Sequence, residues 1–167
     1  MLNLEKPDQG AFDRWFEEST QRQAVDRAWV AGGSVAEHRA QLDAMIPQLL
    51  PEGMNTPGHT FRTAQTDEGE EIAFVWFGPV PGMSEDMHFL LDIFVSPEHR
   101  RKGYARKVLE EMLRKLSTDG IREVTLTVRG DNSKALALYE SLGFVRTETS
   151  KDGKQVRMNL ELRSREF

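Results

Sequence analysis

Apolar residues over the first fifty positions recur at helical spacing. Phe12, Trp15 and Phe16 fall at i, i+3, i+4, and Val25, Ala28 and Trp29 repeat the spacing. At about 100° per residue the two triplets point to roughly opposite sides, so the helix either breaks near Ser19-Thr20 or is covered on both faces. Double cover would suit the wall of a substrate site; packing on a sheet or a second copy is the plainer alternative. After Gly32-Gly33, Ser34 and Glu37 stand three apart and can cap each other's free amides, which opens a second helix. Its stripe is Leu42, Met45, Ile46, Leu49 and Leu50, and Pro47, with no amide hydrogen, is expected to kink or end it.

From Thr60 the period shortens. Thr60 to Gln65 and Ile72 to Phe77 read as strands of a hairpin around Asp67-Glu68-Gly69. His88 to Val95 is a buried strand beyond the rigid Gly78 to Gly82 loop. Ala105, Val108, Leu109, Met112 and Leu116 hold one helical face, and Gly120 stops that helix. Glu123 to Val128 is a β-branched strand, and Ser133 to Leu142 a helix between the capping group Asp131-Asn132-Ser133 and Gly143. Phe144 to Thr149 and Gln155 to Leu162 form a last hairpin around Asp152-Gly153. The order α-α-β-β-β-α-β-α-β-β predicts an α/β fold with a mixed sheet covered by helices and a strand-helix-strand crossover over 88–128. One domain over 1–167 is expected, with a helical part over 1–52 and a sheet core over 60–162.

Composition narrows the chemistry. With 167 residues the chain can bury roughly 70% of its unfolded surface and needs no staple. It has no cysteine, which excludes disulfides, cysteine-ligated zinc, iron–sulfur clusters and a thiol nucleophile. Mean hydropathy is -0.55, no apolar run approaches the ~20 residues of a membrane helix, and the opening MLNLEKPDQ lacks the order of a leader. A cytoplasmic protein without membrane contact is expected. The net charge of -5 argues against a nucleic-acid partner, although 22 basic residues leave room for a local patch.

That patch sits in Val95-Ser96-Pro97-Glu98-His99-Arg100-Arg101-Lys102-Gly103-Tyr104-Ala105. A buried strand ends, a basic turn with a glycine follows and a helix begins, so unpaired amides and the positive helix end converge where an anion could bind. The bland alternative is a strand-to-helix turn carrying solvated charge. The pattern Val95-x-Pro97-x-x-Arg100-x-x-Gly103-x-Ala105 resembles motif A of the GNAT superfamily of acyl-CoA-dependent N-acyltransferases. Asn132-x-x-Ala135-x-x-Leu138-Tyr139-x-x-Leu142-Gly143-Phe144 resembles its motif B. The resemblance covers roughly residues 60 to 162, with Ala105 where glycine is commoner.

The resemblance implies an N-acetyltransferase that moves acetyl directly from acetyl-CoA to a primary amine of a small molecule or peptide. Amides from Arg101, Lys102, Gly103, Tyr104 and Ala105 would bind the pyrophosphate, with Arg100 shaping the turn. Main-chain groups of Ile93, Phe94 and Val95 would pair with pantetheine where two strands splay. Asn132 would contact the pantetheine arm, or serve only as a helix cap. Tyr139 would protonate the departing thiolate, or be only a half-buried aromatic. Lys107 and Lys134 could meet the 3′-phosphate or do nothing specific.

The base that deprotonates the amine is not evident. Phe89 aligns where some family members carry a catalytic glutamate, and His59, His88 and Asp92 are the nearest candidates. Strict alternation would put His88, Leu90, Asp92 and Phe94 on one side, away from Phe89, Ile93 and Val95. The alternative function is a CoA-binding module without catalysis, motivated by Phe89 and the unassigned N-terminal helices. Trp15, Phe16 and Trp29 read as exposed apolar residues that need cover, which a homodimer would supply. Gly53 to Thr60 lacks the lysine of a P-loop, His88-x-x-x-Asp92 matches an unrelated acyltransferase class of larger architecture, and the four histidines lack metal-ligand spacing, so no metal is expected.

Overall fold

The computed structural model describes residues 2–162. Its elements are β1 (Asn3–Glu5), α1 (Gln9–Ala31), α2 (Val35–Leu49), β2 (Thr60–Gln65), β3 (Glu71–Gly78), β4 (Met87–Val95), α3 (Tyr104–Thr118), β5 (Glu123–Arg129), α4 (Ser133–Leu142), β6 (Val145–Thr149) and β7 (Gln155–Glu161). The strands make one sheet in the order β1-β2-β3-β4-β5-β7-β6. Every neighbouring pair is antiparallel except β4 and β5, which the α3 crossover makes parallel. The expected mixed α/β sheet is observed, with β1 as an addition. Three residues of β1 are too few to register as a period, and their pairing with β2 at Asn3↔Gln65 to Glu5↔Thr63 depends on the tertiary fold.

Alternation along β3 separates two cores. Ala73, Val75 and Phe77 face α3 and α4, packing with Val108, Leu109, Met112, Leu113 and Leu136. Phe74 and Trp76 face α1 and α2 within an aromatic cluster of Phe12, Trp15, Phe61 and half-buried Phe16 and Phe94. Phe12 meets Phe61 edge-on at 4.9 Å, and Trp15 stacks on Phe74 at 6.1 Å while its indole nitrogen donates to Glu71 at 2.7 Å. The sheet thus supplies the cover that Trp15 and Phe16 require. A second copy of the chain is not needed for it.

Helix α1 does not break at Ser19-Thr20. Both residues are buried, and Thr20 returns its hydroxyl to the Phe16 carbonyl at 2.8 Å, so neither leaves an unpaired group to interrupt the helix. Nor is its second triplet covered by another helical layer on the sheet: Val25 is 44% exposed. Trp29 instead lies between cations, 4.1 Å from the Arg129 guanidinium and 5.1 Å from the Lys154 ammonium. Helix α2 opens with the expected Ser34–Glu37 capping box, and Pro47 lies inside it, two residues before its end. The carbonyl that proline deprives of a partner belongs to exposed Asp43, where water can satisfy it. No helix among the described residues is long and apolar enough to cross a membrane.

Candidate active site

Strands β4 and β5 pair only at Met87↔Glu123, His88↔Val124 and Phe89↔Thr125. Beyond Phe89 they diverge, and the later residues of β5 remain paired on their other side with β7. The opening is a wedge in the middle of the sheet whose edges carry main-chain groups without a strand partner across it. Ile93, Phe94 and Val95 lie along its β4 edge. One of their acceptors is engaged: the Val95 carbonyl accepts from Arg100 Nε at 2.9 Å.

That contact folds the Arg100 side chain back on its own strand, with its guanidinium 5.0 Å from the Phe94 ring centre. The next residues form the turn. Arg101 has φ 63° and Gly103 φ 77°, two left-handed residues separated by Lys102, immediately before α3 begins at Tyr104. Left-handed residues in this setting turn successive amides to one side and form an anion-binding concavity at the positive helix end. A side chain at Gly103 would meet nothing within 4 Å, so the glycine answers a conformational demand and not a steric one. Arg101 and Lys102 are exposed, and Tyr104 and Ala105 are half-buried in the first turn. The cradle and the wedge together fit a phosphorylated arm that continues into the sheet.

Tyr139 lies on the inner face of α4, 8% exposed, with its ring edge-on to Phe144 at 5.8 Å. Burial first, and then the charge of Asp92, push its hydroxyl above the ordinary phenol range, so it carries a proton at neutral pH. Asn132 caps α4 by accepting from the Ala135 amide at 3.2 Å, which is its capping alternative, and retains its side-chain NH2 as a donor.

The three candidate bases separate. Residue Trp76 pairs with Asp92 but Phe77 pairs with Leu90, so Leu91 is an extra residue in β4, a β-bulge. The bulge reverses the alternation: Leu90 joins Ile93 and Val95 on the α3 side, while Asp92 and Phe94 face α1. Strict alternation, which grouped His88 and Leu90 with Asp92 and Phe94, therefore fails at Leu91. His88 follows Leu90 to the α3 side, and Phe89 shares the α1 side with Asp92. Burial also drives His88 below the usual imidazole range.

His59 stands directly before β2, beside a hollow of about 310 Å³ next to Lys6 and Arg62. Its Nδ1 accepts from the Trp76 indole nitrogen at 3.0 Å, and its ring lies against Gly78. Burial, with a smaller contribution from His88, lowers it to about 4. The unfolded chain then binds more protons than the folded one between about pH 6.5 and 4, so stability is highest above this window and declines on acidification through it. Urea midpoints measured across that range should fall in the wild type and fall less in His59→Asn, which keeps an acceptor for Trp76 but does not titrate.

Asp92 accepts from Arg22 at 2.8 Å and faces Ser19, both from α1. Arg22 also lies 3.7 Å over the Phe94 ring. Above this pair opens a hollow of about 600 Å³ lined by Glu17, Glu18, Arg22, Val25, Asp26 and Phe94. The end of α1 is held over the sheet by Arg129, which joins Asp26 at 3.2 Å and Asp131 at 2.7 Å while stacking on Trp29.

A sequence model of the Acetyltransferase (GNAT) family matches residues 14–144. The chain belongs to this family. It is an acyltransferase of the N-acetyltransferase type, and the match extends the family relation into the N-terminal helix that motifs A and B leave out. The chain is 30% identical over 121 residues to the uncharacterized N-acetyltransferase YycN of Bacillus subtilis, covering 71% of this chain and 78% of that one. It is 44% identical over 79 residues to the ribosomal protein bS18-alanine N-acetyltransferase of Escherichia coli, about half of each chain at 47% and 51%. The crystal structure of YycN superposes with a TM-score of 0.80 at 23% identity, covering 90% and 96% of the two chains. Spermidine N-acetyltransferase of Vibrio cholerae, in complex with CoA and spermine, has the same fold at a TM-score of 0.67 and 19% identity, covering 96% and 95%. Among the described residues no group of side chains could hold a metal ion.

Proposed function

We propose that this acyltransferase uses acetyl-CoA and transfers the acetyl group directly to a primary amine of a small molecule or peptide. The observation that carries the reading is the coincidence of the β4–β5 wedge with the two left-handed residues of the 100–105 turn. Acetyl-CoA would supply the thioester carbonyl that the amine attacks and the sulfur that leaves. The amides of Arg101 to Ala105 would hold its pyrophosphate, with Arg100 fastening the turn through the Val95 carbonyl. Main-chain groups of Ile93 and Phe94, and the amide of Asn132, would hold the pantetheine arm. Tyr139, kept protonated by burial, would give its proton to the departing sulfur. No thiol on the protein competes for the acetyl group, since the chain contains none.

A relative named as a ribosomal protein bS18-alanine N-acetyltransferase and a structural neighbour named as a spermidine N-acetyltransferase suggest the acceptor classes to try first. Thiol release from acetyl-CoA, measured with spermidine, a peptide beginning with alanine and a lysine peptide, is expected to depend on one of these amines. Saturable acetyl-CoA binding without turnover on any of them would favour a CoA-binding module instead, the reading that Phe89 in place of a carboxylate suggests.

A further inference from the structure

We infer that Asp92 is the group that takes the proton from the acceptor's ammonium, and that Arg22 is a positioning residue holding its carboxylate in place until the acceptor arrives. The inference rests on the acetyl-CoA reading above. An amine that enters as ammonium has no lone pair, so a base must stand at the acceptor side of the wedge. His59 precedes β2, two strands from the wedge, with its Nδ1 taken by the Trp76 indole, and His88 lies on the α3 side within the paired part of β4. The bulge at Leu91 turns Asp92 toward α1, three residues beyond the last β4–β5 pair and directly before the edge formed by Ile93, Phe94 and Val95.

The surroundings of Asp92 suit that task. From α1 it faces Ser19, Arg22 and, farther off, Asp26; from α4 it acts on Tyr139. Helix α4 packs on the other side of the sheet, so the carboxylate and the phenol approach each other where the strands have parted. Arg22 covers the Phe94 ring and pairs with Asp92 at once, occupying the kind of place an incoming ammonium would take: against a carboxylate, over an aromatic face, beside Glu17 and Glu18. Burial raises Asp92 above the usual carboxylate range while Arg22 and Ser19 oppose the rise, so its carboxylate takes up a proton more readily than a surface one.

The step balances. The ammonium gives one proton to the Asp92 carboxylate, which later passes it to solvent. The freed lone pair forms the N–C bond to the thioester carbonyl. The C–S bond then breaks with its electron pair on sulfur, Tyr139 protonates that sulfur, and the second proton shed by nitrogen restores Tyr139.

The test uses wild type, Asp92→Asn, Arg22→Gln and the double variant, with the panel amine that wild type turns over. Asp92→Asn should lower kcat/KM at least ~100-fold at neutral pH. It should move the acid limb of the profile up to the range in which the amine itself loses its proton in solution, and leave calorimetric acetyl-CoA affinity unchanged. The double variant should recover the urea midpoint lost in Asp92→Asn, because neither charge is then left alone, but not the turnover. Recovery of turnover with stability, or an acid limb that stays at its wild-type position in Asp92→Asn, would show a merely structural ion pair and overturn the inference. A wild type inert on every amine would instead remove the parent reading along with this one.

Discussion

Tyr139→Phe should lower kcat by about 10²- to 10⁴-fold while leaving the KM for acetyl-CoA and the urea midpoint near their wild-type values. The split follows from where the hydroxyl sits. The ring fills the α4 side of the core and meets Phe144, and phenylalanine keeps that volume and that edge-on contact. What disappears is the proton, which burial and the charge of Asp92 keep on oxygen at neutral pH. A departing thiolate deprived of it must find a proton in solvent, at a cost confined to the chemical step. Turnover within a few-fold of wild type would make Tyr139 a core aromatic with no chemical role.

Gly130→Ala should be the most damaging single-methyl change, costing more than ~3 kcal/mol of stability. A Cβ at Gly130 would fall 1.8 Å from the Gly153 carbonyl oxygen and 3.0 Å from its carbon. Both are backbone atoms of the β6–β7 turn, held there because Gly130 donates its own amide to the Lys154 carbonyl at 2.8 Å. No rotamer relieves such a contact, so the turn must move away from the end of β5. Lys154 moves with it, and this lysine donates to the Trp29 carbonyl and lies over its ring. The C-terminal end of α1 should therefore loosen as well, which hydrogen exchange at residues 26–31 would report. A urea midpoint equal to wild type would show that the turn has slack the packing does not suggest.

Most of the fold was legible from periodicity, because long helices and buried strands repeat their apolar positions many times over. Helix α4 and strand β2 occupy the expected ranges, and the other elements beyond Thr60 differ by a residue or two at their ends. Strand β1 escaped because its three residues carry no period. The continuity of α1 escaped because two apolar triplets on opposite sides admit either a break or two kinds of cover, and only the tertiary structure supplies Arg129 and Lys154 around Trp29.

The candidate site divides in the same way. The basic turn was visible as a string of residues at fixed spacing. Its left-handed Arg101 was not, since nothing in an arginine announces a positive φ. The grouping of His88 with Asp92 fails through one inserted residue, Leu91, which changes the side of everything before it relative to everything after. Arg22 carried no signal at all. Its partner lies 70 positions away in sequence, and an arginine between two apolar triplets reads as surface charge until the sheet is in place.

The central claim is that the turn and the wedge hold acetyl-CoA. Calorimetric titration of acetyl-CoA into wild type and Gly103→Val tests it most directly. The structure predicts one saturable site per chain, with a Kd in the roughly 1 μM to 1 mM range common for enzyme substrates. In Gly103→Val, binding should weaken at least ~10-fold because a β-branched residue resists the left-handed conformation that aims the amides. No saturable binding to folded wild-type protein, or equal affinity in the two, would contradict it.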